Sequence, residues 1–115
     1  MRAIVALSAA LLALVAAGPA GARPSAKTTT VKVTAKDFSF TLSTSTVKAG
    51  RVTFLIHNAS PALHDFAVAG HRSKTIRPGK TTRLAVTLTP GRYLYRCTVD
   101  SHAELGMKGY LRVER

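Results

Sequence analysis

The amino-acid sequence predicts an all-β domain: two sheets packed face to face, built from about seven short strands. Three observations carry that expectation. Apolar and polar residues alternate with a period of two in segments rich in β-branched and aromatic side chains. Glycine- and proline-containing turns separate those segments, at Ala49-Gly50, Asn58-Ala59-Ser60-Pro61, Pro78-Gly79 and Pro90-Gly91. No segment shows a helical period, although a few residues after Ser101 have room for a turn.

The chain has 115 residues. It opens with Met1-Arg2, a run from Ala3 to Ala17 that is apolar except for Ser8, and the small residues Ala20-Gly21-Ala22. That order fits a cleaved export signal over residues 1–22, and the apolar run is shorter than the roughly 20 residues a membrane-spanning helix needs. Residues 23–30 (RPSAKTTT) are polar and read as a flexible tail, which leaves 31–115 as a single domain. Within it, Val31 and Val33 alternate with Lys32 and Thr34, and Phe38 and Phe40 with Ser39 and Thr41. Val52, Phe54 and Ile56 share a face in RVTFLIHN; so do Leu84, Val86 and Leu88, and then Tyr93, Tyr95 and Cys97. A last strand runs from Tyr110 to Val113. Alternation of this kind places one face of each strand in a sandwich core.

Charge narrows the partners. The full chain carries 17 Lys+Arg against 5 Asp+Glu, a formal net charge of +12, and loss of the leader removes only Arg2. A field of that sign favours acidic proteins, anionic head groups or polyanions. Nucleic acid fits poorly, because the cations are scattered singly (Arg51, Arg72, Lys74, Arg77, Lys80, Arg83, Arg92, Arg96) with no helix or aromatic platform to present them.

The chemistry lies in one loop and one distant histidine. Cys97 is the only cysteine, so an exported chain keeps a thiol with no intramolecular disulfide partner. It opens the sequence Cys97-Thr-Val-Asp-Ser-His102-Ala-Glu-Leu-Gly-Met107. Upstream, the strand ending near Asn58 runs through a Pro61-containing turn to His64. A thiolate, two imidazoles and a thioether form a soft donor set that suits copper in both oxidation states. Zinc sites use Cys, His and carboxylates with water, and Met107 matches them poorly. A Cys97–His102 nucleophilic pair would also need an orienting residue, an oxyanion site and a cleft, for which the sequence gives no signature. His57 and His71 read as non-ligands.

Together, YRCT at 95–98, HAELGMKG at 102–109, and VKAG followed by VTFLIHN and His64-Asp65-Phe66 resemble the cupredoxin (blue-copper) family, from about Val31 to Val113. The spacing is most similar to the auracyanin- and rusticyanin-like bacterial branch. The resemblance implies an eight-stranded Greek-key sandwich with one type 1 copper at one end, ligated by His64, Cys97, His102 and Met107. It implies a non-enzymatic, monomeric electron carrier, exported to the periplasm or the outside, without stable membrane insertion, and serving redox partners with acidic docking faces. A copper carrier or buffer that hands the ion itself to another protein is the alternative. Many relatives have Asn after the first histidine. Asp65 stands there instead, a candidate for stiffening the ligand loops and lowering the reduction potential. Asn58 and Thr98 are weaker candidates for the same supporting role.

Overall fold

The computed structural model describes residues 28–115. The expected leader, residues 1–22, and most of the expected tail lie outside them.

Nine strands form the domain: β1 (Thr28–Lys36), β2 (Ser39–Leu42), β3 (Thr46–Lys48), β4 (Gly50–Asn58), β5 (Ala67–Val68), β6 (His71–Arg72), β7 (Thr81–Leu88), β8 (Gly91–Arg96) and β9 (Lys108–Glu114). They make a four-stranded sheet in the order β2-β1-β4-β7 and a five-stranded sheet in the order β3-β9-β8-β5-β6. The chain crosses between sheets after β2, β3, β4, β6 and β7, which gives the Greek-key sandwich. Two pairs, β1 with β4 and β3 with β9, are parallel. Among the described residues, the one helical element is a 3-10 turn at His102–Leu105, in the place left open for a turn after Ser101.

The alternation expected from the sequence is present in the burial. Val31, Val33 and Ala35 of β1, Val52, Phe54 and Ile56 of β4, and Val86 and Leu88 of β7 face inward. Val47, Val68, Tyr95, Leu111 and Val113 meet them from the other sheet, and Phe66 stacks on Tyr95 at 5.4 Å between centroids. Tyr95 lies across Gly109, its partner on β9. A Cβ at Gly109 would overlap the Tyr95 ring and hydroxyl, so the glycine is required by its neighbour.

Three details differ from the sequence reading. First, β1 begins at Thr28, so Thr28–Thr30 belong to a strand rather than a tail. These β-branched residues pair with Arg51–Thr53 of β4. Second, Phe38 is not a strand residue; it sits in the tight β1–β2 turn with Asp37. Third, β3, β5 and β6 are three residues long or shorter, too short for a period of two to show.

Candidate metal centre

Each arm of the site is set by local structure. β8 ends at Arg96, and the backbone N–H of Cys97 donates to the Met107 carbonyl at 3.1 Å, closing the loop at its base. Inside that loop, His102 N–H donates to Val99 O and Met107 N–H to His102 O, both at 3.1 Å. The turn leaves its last residue through Gly106 at φ 109°, a conformation that favours glycine. Cys97, Met107 and His102 are thereby fixed within eleven residues of one another, and Met107 is fully buried.

His64 is held differently. Its backbone forms an isolated bridge with Ile76, with N–O distances of 3.3 and 2.6 Å. The preceding loop is organised by Asn58, which is fully buried and uses all its hydrogen-bonding capacity. Its amide donates to Ala62 O at 2.7 Å and Ile76 O at 2.8 Å, and its oxygen accepts from Ser60 N–H and Oγ–H at 3.0 and 2.8 Å.

The three donors meet in the interior. Nδ1 of His64 lies 3.9 Å from Cys97 Sγ, Nδ1 of His102 lies 3.6 Å from it, and all three donor atoms fall within 4.8 Å of one another. Three ligands at roughly 2.0–2.3 Å around one ion in a trigonal plane stand roughly 3.6–3.9 Å apart. The two sulfur-to-nitrogen distances match that spacing, so the thiolate and the two imidazoles fit a small, soft cation. His64 is fully buried and His102 is 9% exposed, which makes His102 the edge of the site nearest solvent. Among the described residues, His57 and His71 are not part of this cluster; His57 instead bonds to Thr81 Oγ1 on the outward face of β4.

Two carboxylates support the donors. Asp65 accepts from the Thr98 backbone N–H at 2.6 Å and from the Thr98 hydroxyl, which ties the His64 segment to the Cys97 segment. This is the supporting role expected for Asp65, with Thr98 as its partner. The second carboxylate was not anticipated. Asp37 Oδ1 lies 2.9 Å from Nε2 of His64. A carboxylate accepts only, so the Nε2 proton is fixed and the Nδ1 lone pair is left free toward Cys97. Phe38, the next residue, lays its ring 4.9 Å from the ring of His102. No local motif marks Asp37 or Phe38, since the turn is brought to the site by the β1–β4 pairing. Burial pushes the Cys97 thiol above its ordinary pKa, while hydrogen bonds from the Asp65 and Val99 backbone pull the other way. A metal that binds the thiolate must therefore displace a proton.

A β-sandwich with a buried His, Cys, His cluster at one end, and a buried methionine tied to it, defines a type 1 copper site of the cupredoxin kind. The chain belongs to the family described as cupredoxin-like domain, whose model matches residues 4–111. Among solved structures, the fold is similar to auracyanin A, a blue copper protein from Chloroflexus aurantiacus. That match has a TM-score of 0.66 at 24% identity and covers 76% of this chain and 100% of that one. Rusticyanin from Thiobacillus ferrooxidans matches with a TM-score of 0.65 at 21% identity, over 78% of this chain and 79% of that one. The copper nitrite reductase of Nitrosomonas europaea also shares the fold, at 24% identity and a TM-score of 0.62. It covers 76% of this chain but only 42% of the enzyme. No curated protein sequence matches the chain.

Proposed function

We propose that this protein is an exported, monomeric one-electron carrier whose copper is held by His64, Cys97, His102 and Met107, with no catalytic role of its own. The observation that supports it most is the buried donor cluster, whose sulfur-to-nitrogen spacings suit trigonal coordination. When bound, copper supplies a Cu(II)/Cu(I) couple. The chain supplies the rest. Asp37 and Asp65 hold the two ligand segments, and burial of His64, Cys97 and Met107 keeps water from the donors, so little has to move when an electron passes. His102 offers the exit. Leu63 and Leu105, 47% and 60% exposed, stand on the ligand-bearing segments, and Phe38, 37% exposed, packs its ring on His102 from the β1–β2 turn, a small apolar collar suited to brief docking. The net positive charge raises encounter rates with an acidic partner, and a transfer rate that falls as salt is added is the signature of that steering.

The test is an absorption spectrum of the purified protein with cupric copper, repeated after ascorbate. An intense thiolate-to-copper band that bleaches on reduction and returns on reoxidation is expected. Colourless protein carrying zinc, still colourless after copper exchange, refutes the reading. Export is checked by N-terminal sequencing of the mature protein, expected to begin at Arg23.

A further inference from the structure

The positive charge is distributed very unevenly. Four of the five carboxylates, Asp37, Asp65, Asp100 and Glu104, lie in the segments that build the metal end. The outer face of the five-stranded sheet is the opposite case. Lys48, Arg72, Arg92, Arg96, Lys108 and Arg112 all point outward there, with Glu114 as the only acid. Arg92 stands directly opposite Arg112, and Arg96 opposite Lys108. Like charges in directly opposed positions destabilise a sheet, so this face costs the fold something. The four-stranded sheet avoids such pairs. Its outward Lys32, Lys36, Arg51 and Arg83 stand opposite Leu55, Ser39, threonines and Leu55 again.

Between the two cationic pairs on the five-stranded sheet lie Leu94 and Tyr110, also directly opposed, 41% and 52% exposed. The Arg92 guanidinium rests 3.7 Å over the Tyr110 ring. Beside them runs an open groove of about 540 Å³ lined by Ser45, Thr46, Arg92, Tyr110 and Arg112. Cations ringing a tyrosine and a leucine on a flat face match the boundary of an anionic bilayer: guanidinium and ammonium groups for the phosphates, an amphipathic ring and an alkyl side chain for the interface. Tyrosine beside leucine under a cationic rim is the composition that seats at the headgroup level of a bilayer, and an acidic protein on the same face is an outcome that the test separates.

We propose that the outer face of the five-stranded sheet is a peripheral docking surface for anionic phospholipid. The strands then lie parallel to the membrane. The metal end, beyond the end of β8 and the start of β9, faces sideways and stays open to a protein partner.

The experiment is co-sedimentation of the full chain with phosphatidylglycerol-containing vesicles against pure phosphatidylcholine vesicles. The reading is the difference between the two, compared between variants that share the same N-terminal run. Arg92→Ser/Arg112→Ser is compared with Lys32→Ser/Arg83→Ser, which removes the same charge from the other sheet. The first pair is expected to lower the anionic preference on the order of tenfold or more, the second no more than about threefold. Equal losses mean that net charge alone attracts the protein, and the face is refuted. Arg96→Ser/Lys108→Ser leaves the Arg92–Tyr110 stack intact and must also lower the preference, which guards against a folding artefact. The chain has no tryptophan, so Tyr110→Trp reports on the face directly. Its emission is expected to shift to the blue with phosphatidylglycerol and not with phosphatidylcholine. Sedimentation without that shift places the lipid elsewhere and overturns the proposal, as does retention by an acidic protein with no vesicle binding.

Discussion

The two arms of the metal centre are built on opposite plans. The downstream arm delivers Cys97, His102 and Met107 from a single loop whose backbone hydrogen bonds run between the ligand residues themselves. The upstream arm delivers one ligand, His64, and needs Asp37 from the β1–β2 turn, Asn58 from the end of β4 and a bridge to Ile76 to hold it. The first arm is local and self-bracing. The second is assembled from contacts tens of residues apart, so its precision depends on the whole sandwich. Damage to the first arm should therefore show in the metal's chemistry and spare the fold, whereas damage to the second should reach stability or tuning.

The largest effect is expected at the local arm. Cys97→Ser should abolish the intense visible band of the cupric protein while far-UV circular dichroism and the denaturation midpoint of the metal-free protein change little. Cys97 is a small member of the buried core next to the metal site, and serine is nearly the same size. A metal-free variant that fails to fold would contradict the self-bracing description.

Next comes Asn58→Ala in the assembled arm. It removes the amide donor from the carbonyls of Ala62 and Ile76, leaving Ile76 O only the longer bond from His64 N–H and Ala62 O only the one from Ser60 Oγ, and it leaves the buried Ser60 N–H without its acceptor. The expected loss is about 3 kcal/mol of unfolding free energy, read from urea titration of the metal-free protein. A loss below about 1 kcal/mol would show that the Pro61 loop is held by something other than Asn58.

That contrast also explains what was readable from the sequence. The sandwich was legible wherever a strand was long enough to alternate, as in β4 and β7. The downstream ligands were legible because their spacing is short and contiguous. Asp65 and Asn58 could be singled out through the family resemblance, which marks the position after the first histidine. Asp37 could not. It reaches His64 only because β1 runs parallel to β4, 27 residues away in sequence, and parallel pairing leaves no mark in local spacing. Phe38 was misread for a related reason. The alternation of Phe38 with Phe40 continues through a turn, and only the position of the hairpin shows that the pattern changes meaning there.

Asp37→Asn probes what the sequence concealed. The amide removes the negative charge facing His64 Nε2 and can still accept from it, so geometry is kept and imidazole basicity falls. Cupric affinity should drop on the order of tenfold, the low end for losing such a supporting partner. If that loss falls wholly on the cupric state, the reduction potential rises by about 60 mV. An unchanged potential with unchanged affinity would make the Asp37 contact structurally incidental.

The smallest effect is expected where the two arms join. Asp65 is the strut between them, with both of its oxygens on Thr98. In Asp65→Asn the amide oxygen keeps the bond from the Thr98 N–H, and the threonine hydroxyl can turn to accept from the new NH₂ group. Stability should change by less than about 1 kcal/mol, since both hydrogen bonds survive in altered polarity. The lost negative charge should raise the reduction potential in the same direction as Asp37→Asn. Asp65→Ala removes the strut as well as the charge. It should cost clearly more stability than Asp65→Asn and broaden the copper site's electron paramagnetic resonance lines as the two arms shift independently. Were Asp65→Asn to cost as much stability as Asp65→Ala, the charge itself would be doing the joining. The arms would then be held together electrostatically rather than by the geometry of the Thr98 bonds.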